Sequence, residues 1–286
     1  MTVAKSATVF THRRPHETAA ALQTLIAAAA GAGVELRMDP EEATKHGIEA
    51  GEGVVIERRG HGEPPDLCIV LGGDGTILAA LRRYAGRAVP VFAVNFGEVG
   101  FLATVEPDEI DHGFARAFAG DFDVLELPAI AVQDDASGRK AFNDVALHRL
   151  PGGRVADLSY ALGGEEIGRV RCDGLVIATP AGSTGYNLAN GGPVLAWGVE
   201  GFVVSFIAPH SLTARGLVAA PRDILTVRND SRDEPVQVSI DGRPELELGP
   251  GEHLAAVFAP LQGQLAQLPG TTFYHRLREK FGRLAV

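Results

Sequence analysis

No Gly-Lys pair occurs anywhere in these 286 residues, so the G-x-x-x-x-G-K-[ST] phosphate loop is excluded. The G-x-G-x-x-G fingerprint is missing as well, which removes the main support for a standard Rossmann dehydrogenase. Pro180-Ala181-Gly182-Ser183-Thr184-Gly185 comes near a nucleophile elbow, but Ala181 stands where G-x-S-x-G needs its first glycine, and acyl hydrolysis falls away. Nine histidines form no H-E-x-x-H or comparable cluster, so a zinc site is unsupported and no residue is assigned to a metal. The two cysteines, Cys68 and Cys172, make neither a ligand spacing nor a disulfide framework, which suits a reducing cytoplasm. No run of about 18 apolar residues appears, so a membrane span is not expected. Met1 to Phe10 holds one lysine and no long apolar region, so no signal peptide is expected either. A formal charge of −10 lacks the basic field that nucleic-acid binding needs.

Glycine, by contrast, is abundant: 35 residues, more than turns alone usually demand. Three of them follow the apolar run from Asp66 to Leu71, which reads as a buried strand bounded by Pro65 and Gly72. Gly72-Gly73-Asp74-Gly75-Thr76 comes next, and Ile77, Leu78, Leu81 and Tyr84 then start a helical period, giving a helix over 76–85. A strand, a glycine turn and a helix N-terminus make an anion site, because unpaired N–H groups and the positive dipole end favour phosphate. Asp74 repels what such a turn attracts, so it needs a role such as taking a proton or holding Mg²⁺. The competing reading is a turn or helix-capping acid.

Around this turn the grammar is α/β up to about residue 123. Strands are expected at Val3–Phe10, Val34–Met38 and Val89–Val94, and helices at Glu17–Ala30 and Pro107–Ala119, alternating as in a parallel, Rossmann-like sheet. Residues 39–65, punctuated by five glycines, read as a polar insertion and a candidate mobile flap. From 124 to 267 the pattern turns β-rich, with short runs at Val124–Asp134, Ala141–Leu147, Leu158–Leu162, Glu166–Arg171, Leu175–Thr179, Phe202–Ile207, Ile224–Val227, Val236–Ile240 and Leu254–Phe258. A sandwich-like second domain follows from that spacing. Residues 268–286 hold a basic amphipathic helix over Phe273–Leu284, expected to pack back on the first domain.

Asn143-Asp144, Arg171-Cys172-Asp173-Gly174, Thr179 to Asn187 and Pro209 to Arg215 follow the glycine turn in that order. Together these stretches closely resemble the NAD kinase family, over about Asp66 to Arg283. Gly-Gly-Asp-Gly-Thr alone is shared with lipid kinases and speaks only for phosphoryl transfer; the downstream pairs narrow it. The resemblance implies transfer of a phosphoryl group from ATP or polyphosphate to the 2′-hydroxyl of the adenosine ribose of NAD, with Mg²⁺, at a site in the cleft between the two domains. It makes Asp74 the proton acceptor and Gly72, Gly73, Gly75 and Thr76 the phosphate cradle. It assigns nucleotide contacts to Asn95, Phe101, Asn143, Asp144, Arg171, Asp173, Thr184, Gly185, Tyr186, Asn187, Ala189, Ala208 and Arg243.

The local readings beside it stay open. Asn143-Asp144 also suits a bulge or strand-end turn, Arg171 a solvated rim, Tyr186 a core position and Asp241-Gly242-Arg243 a hairpin turn. The resemblance further implies a cytoplasmic homodimer or homotetramer, with no nucleic-acid or membrane partner. Two other classes compete: a lipid or sphingoid-base kinase, which would want an apolar tunnel in place of Asn143, Asp144 and Asp173, and a non-catalytic NAD-sensing module, against which Asp74 weighs.

Overall fold

The buried run after Pro65 is strand β4 of a parallel sheet, reached in chain order through β1 (Ser6–Thr11), α1 (Pro15–Ala32), β2 (Glu35–Met38), α2 (Pro40–His46) and β3 (Val54–Ile56). The computed structural model describes residues 3–51, 53–58, 63–98, 100–133, 138–270 and 272–282. β4 (Leu67–Gly72) is followed by α3 (Asp74–Arg83), β5 (Pro90–Asn95), a 3-10 turn at Pro107–Glu109 and α4 (Ile110–Ala119). The chain divides into two compact units: the described residues up to Glu126 together with those from Gly263 onward, and the stretch Leu127–Gln262.

In the first unit the strand order is β3-β2-β1-β4-β5, all parallel. Every residue of β4 and β5 is buried, as continuous apolar runs covered on both faces require. Leu25, Leu36, Ile69, Leu71, Phe92 and Phe114 form the centre of its core. Two boundaries differ from the sequence pattern. α1 runs through Gly31 and stops at Gly33, whose φ of 68° supplies the left-handed cap. α3 begins at Asp74, two residues before the expected start at 76, with Gly73 as N-cap.

The polar stretch 39–65 is not a bare flap. It holds α2, opened by the Asp39 carboxylate accepting from Glu41 N–H and closed by Gly47 at φ 63°, and then β3, paired with β2. Residues 52 and 59–62 of that stretch, with Asp134, Arg283 and Leu284 of the expected strand and helix, lie outside the described residues.

The second unit is antiparallel. Its elements are β6 (Asp123–Val132, entering from the first unit), β7 (Lys140–Ala141), β8 (Asp144–Arg149), β9 (Ala156–Leu162), β10 (Glu165–Cys172), β11 (Gly174–Ala178), α5 (Tyr186–Ala189), β12 (Phe202–Ile207), β13 (Leu217–Ala219), β14 (Ile224–Asn229), β15 (Val236–Ile240), β16 (Arg243–Leu248) and β17 (His253–Gln267). One sheet has the order β13-β12-β11-β8-β15-β16, and β10-β9-β14-β17 forms the other. Val145, Leu147, Leu158, Ile177, Val204, Leu225, Val238 and Leu254 interdigitate between them, the core of a sandwich.

β13 and β16 escape the sequence pattern. β16 is an edge strand carrying Arg243, Pro244, Glu245 and Glu247, residues that guard an edge against further pairing and hide its alternation. Near the end of β17, Gln264 and Leu265 pair in parallel with Pro90 and Val91, and helix α6 (Phe273–Phe281) follows. Among the described residues no helix is long and apolar enough to cross a membrane.

Candidate active site

In the first unit, β4 delivers Gly72 and Gly73 to the N-terminus of α3. The Asp74 side chain does not cap that helix. It reaches across to the loop after β5, where Oδ2 accepts from Phe101 N–H at 3.2 Å and Oδ1 from Leu102 N–H at 3.1 Å. Burial raises the Asp74 pKa above the ordinary carboxylate value, while the two backbone N–H groups and the charges of Arg276 and Lys280 pull the other way. An ionised carboxylate has roughly four acceptor sites, so two remain for a ligand.

The glycines serve different ends. A Cβ on Gly73 would sit 3.0 Å from Gly97 Cα, and one on Gly72 2.6 Å from Thr76 Oγ1, so these two let chain segments close up. Gly75 meets nothing within 4 Å and its φ is negative-side helical, so neither packing nor backbone strain explains it.

Asn95 ends β5, and Phe101 lies in the loop that follows it. Asn95 is buried and spends its amide on its own loop, donating to Glu106 Oε2 at 2.9 Å and accepting from Gly97 N–H at 3.0 Å. The Phe101 ring packs against Phe273 and Phe281 of α6, with centroids 6.0 and 5.9 Å away, so what it turns toward Asp74 is its backbone. A cavity of about 690 Å³ opens over the turn, lined by His12, Arg14, Glu17, Asp74, Phe96, Gly97, Glu98 and Gly100. Glu17 holds His12 at 2.8 Å and Arg14 at 2.9 Å. Thr11 to Arg14 are polar residues that follow the expected strand Val3–Phe10, and nothing local signals that His12 and Arg14 line a cavity with Asp74.

In the second unit, the expected strand Ala141–Leu147 breaks at Phe142 and Asn143, and β8 starts at Asp144. The break is held by Asp241, whose carboxylate accepts from the N–H groups of Phe142 (3.3 Å), Asn143 (2.7 Å) and Asp144 (3.3 Å). Asp241 and Gly242, at φ 46° and 74°, form the hairpin turn between β15 and β16. From the other side, Thr179 Oγ1 donates to the Phe142 carbonyl at 2.6 Å and Thr179 N–H to that of Asn143 at 2.9 Å. A Cβ on Gly182 would run into the Asn143 carbonyl. Asp144, buried and facing Asp241, is pushed up to about 7, by desolvation first and by the neighbouring charge second.

Asp144, Ala146 and His148 alternate on the face of β8 turned away from the sandwich core, beneath α5. Tyr186 of α5 stacks on His148 with centroids 5.5 Å apart, and burial together with the charges of Asp144 and Asp173 raises its hydroxyl pKa. Asp173 pairs with Arg149 at 2.6 Å, a partner that motif reading missed. Arg171 does not share a strand face with Asp173: β10 ends at Cys172, and Arg171 lines a separate cavity with Arg154, Asp157, Arg169 and Asp230.

Asn187 is fully enclosed, its amide donating to the Ser183 and Pro193 carbonyls at 2.9 Å each, so it shapes the 179–193 segment and offers a ligand no surface. Thr184 is buried with Oγ1 donating to the Ala181 carbonyl. Gly185, Ala189, Ala208 and Arg243 are exposed. A Cβ on Gly185 would have only Gly182 O, at 3.4 Å, for a neighbour, so that position has room for a methyl group.

A family model described as the ATP-NAD kinase N-terminal domain matches residues 34–122, and one described as the ATP-NAD kinase C-terminal domain matches 142–266. The NAD kinase of Gemmatimonas aurantiaca is 40% identical over 233 residues, covering 79% of this chain and 80% of that protein. The chain belongs to the NAD kinase family. The NAD kinase of Rhodopirellula baltica is 35% identical over 229 residues, covering 77% and 74%. Among solved structures, yeast NADH kinase complexed with NADH superposes with a TM-score of 0.84 at 22% identity, covering 100% of this chain and 91% of that one. An Archaeoglobus fulgidus NAD kinase in complex with ATP gives 0.74 at 22% identity, over 97% of each chain. These two speak for the fold, an α/β unit followed by an antiparallel sandwich.

Proposed function

We propose that this chain phosphorylates the 2′-hydroxyl of the adenosine ribose of NAD to give NADP, with Asp74 as the proton acceptor. The observation that carries the reading is the Asp74 carboxylate itself: set at the end of a glycine turn, raised in pKa by burial, and aimed by two N–H groups that leave acceptor capacity over. The O–H bond of the ribose breaks toward Asp74 as the oxygen bonds to the terminal phosphorus, and the bond from that phosphorus to its bridging oxygen breaks to release ADP. Phosphoryl transfer asks a protein mainly for alignment and charge stabilisation, which the backbone of Gly72 to Thr76 and the start of α3 supply. Asp144, Asp173, Tyr186 and the backbone of the 179–185 segment form the dinucleotide-binding set. The related proteins solved with NADH and with ATP support a dinucleotide acceptor and a nucleotide donor.

Among the described residues no three His, Cys, Asp or Glu side chains stand together as metal ligands. Mg²⁺ keeps several waters and binds through substrate phosphates, so an ion that serves the transfer would arrive with the donor, on the phosphates at the Gly72 to Thr76 turn. It would neutralise charge on the transferring phosphates.

A coupled assay for NADP, with ATP, GTP and polyphosphate each offered against NAD and NADH, tests the reading. NADP from NAD and ATP is expected; no product with any donor or divalent metal would remove the enzymatic assignment. The family resemblance also supports a homodimer or homotetramer in the cytoplasm, and light scattering reads the assembly directly.

Gly75→Ala separates the phosphate role from a structural one. A methyl group fits there and alanine suits a helix better than glycine by up to about 1 kcal/mol, so the melting temperature should hold or rise. The KM for the donor should climb at least about tenfold, the scale of one lost backbone contact to a charged group. An unchanged KM would mean that the donor does not approach this residue.

A further inference from the structure

Helix α6 buries an arginine. Arg276 is 5% exposed; its Nη1 donates to the carbonyls of Phe101, at 3.0 Å, and Ala103, and its Nη2 to Oε1 of Gln267 at 2.5 Å. One of these carbonyls has a special neighbour. The peptide unit joining Phe101 to Leu102 carries the guanidinium on its oxygen and the Asp74 carboxylate on its N–H. A trans peptide is planar with the two groups pointing opposite ways, so this single rigid unit spans cation and acid. A cation at the oxygen also polarises the unit and strengthens its N–H as a donor.

We propose that Arg276 is a positioning residue for phosphoryl transfer: it grips the 101–103 loop by its carbonyls so that the Phe101 and Leu102 N–H groups aim the Asp74 carboxylate. The proposal rests on the reading of Asp74 as proton acceptor. A residue kept only for packing would not need to be a buried cation, which is costly to enclose and gains from removal when an apolar side chain fills the space. The fork geometry of arginine, which serves two carbonyls and an amide oxygen at once, is what a loop clamp requires. Lysine cannot match it.

The groups facing Asp74 are Arg276 and Lys280 from α6 and, around the cavity, His12, Arg14, Glu17 and Glu98. Lys280 is engaged by Glu106 at 3.1 Å, and Glu17 holds His12 and Arg14. Removing Arg276 therefore takes away a charge that favours the ionised acid.

The test compares the full-length wild type with Arg276→Leu and Arg276→Lys by steady-state kinetics across pH and by following the Asp74 carboxyl carbon in ¹³C NMR titration. For Arg276→Leu, kcat should fall about 10–100-fold, the scale on which partners that orient a working group act, with KM for NAD within about twofold. The acid limb of the kcat profile and the Asp74 titration should both move to higher pH, a change that loss of packing alone would not produce. Arg276→Lys should recover part of kcat. An Asp74 titration that stays put in both variants overturns the proposal, as does a loss confined to KM. If Arg276→Leu does not fold, Arg276→Lys carries the same decision, since its titration should still lie above that of the wild type. A wild type that makes no NADP would instead remove the function reading, and the Asp74 titration would still decide whether Arg276 acts on it.

Discussion

Asp74→Asn is expected to slow NADP formation by about 10²–10⁴-fold, the usual contribution of a positioned general base, while NAD binding persists. The amide matches the carboxylate in shape but accepts no proton. It also keeps only one acceptor oxygen for two backbone donors, at 3.2 and 3.1 Å, so one N–H loses its partner or the amide turns to share it. That loss costs about 1–3 kcal/mol, and relief from burying a charge offsets part of it, so folding should survive. Turnover by coupled assay and NAD affinity by calorimetry read the two effects apart. Turnover within about tenfold of wild type would take Asp74 out of the proton transfer, since that is below the lower end of general-base catalysis. Because burial raises the Asp74 pKa, the wild-type rate should already decline on the acid side above the ordinary carboxylate range.

What could be read from the sequence was local, and what could not was held at a distance. The run from Leu67 to Gly72 and the turn after it are legible because a doubly covered parallel strand is apolar throughout and a close backbone approach needs glycine. Helix α2 carries an equally local signal, Asp39-Pro40 at one end and Gly47 at the other, but the glycines around it fit a loop as well.

Asn143 and Asp144 are different. Their alternation suits a strand, and the residue that breaks it, Asp241, is nearly 100 positions away. Asp173 likewise meets Arg149, and the loop that orients Asp74 is gripped by Arg276, 175 positions from Phe101. Motifs identify such stretches but not which atoms they contribute. Phe101 offers Asp74 an N–H while its ring packs elsewhere, and Asn187 and Asn95 use their amides on their own segments.

Asp144→Asn should make the protein more stable at pH 8 than the wild type, with little of that advantage left at pH 5. In the folded chain the Asp144 carboxyl is pushed up to about 7 by burial and by Asp241, against 3.8 for the ordinary side chain. A group whose pKa rises on folding contributes its full share of stability below the unfolded value and loses it as pH climbs through the folded one. Between these limits the folded state holds a proton that the unfolded chain has released, so stability falls by about 1.36 kcal/mol per pH unit. From pH 5 to pH 8 this amounts to at most about 3 kcal/mol, given how strongly the figure depends on the local dielectric. Asparagine does not titrate, so urea midpoints of the variant should lose less over that interval. Parallel declines in both proteins would show that Asp144 titrates at an ordinary value.

The wild type keeps this destabilising acid beside Asp241 and Tyr186, where the proposed dinucleotide site lies. A ligand that donates hydrogen bonds to the ionised form repays its burial, so NAD should bind the wild type more tightly as pH rises through about 7. In Asp144→Asn that pH dependence should vanish along with part of the affinity, which calorimetry at pH 6 and pH 8 would reveal.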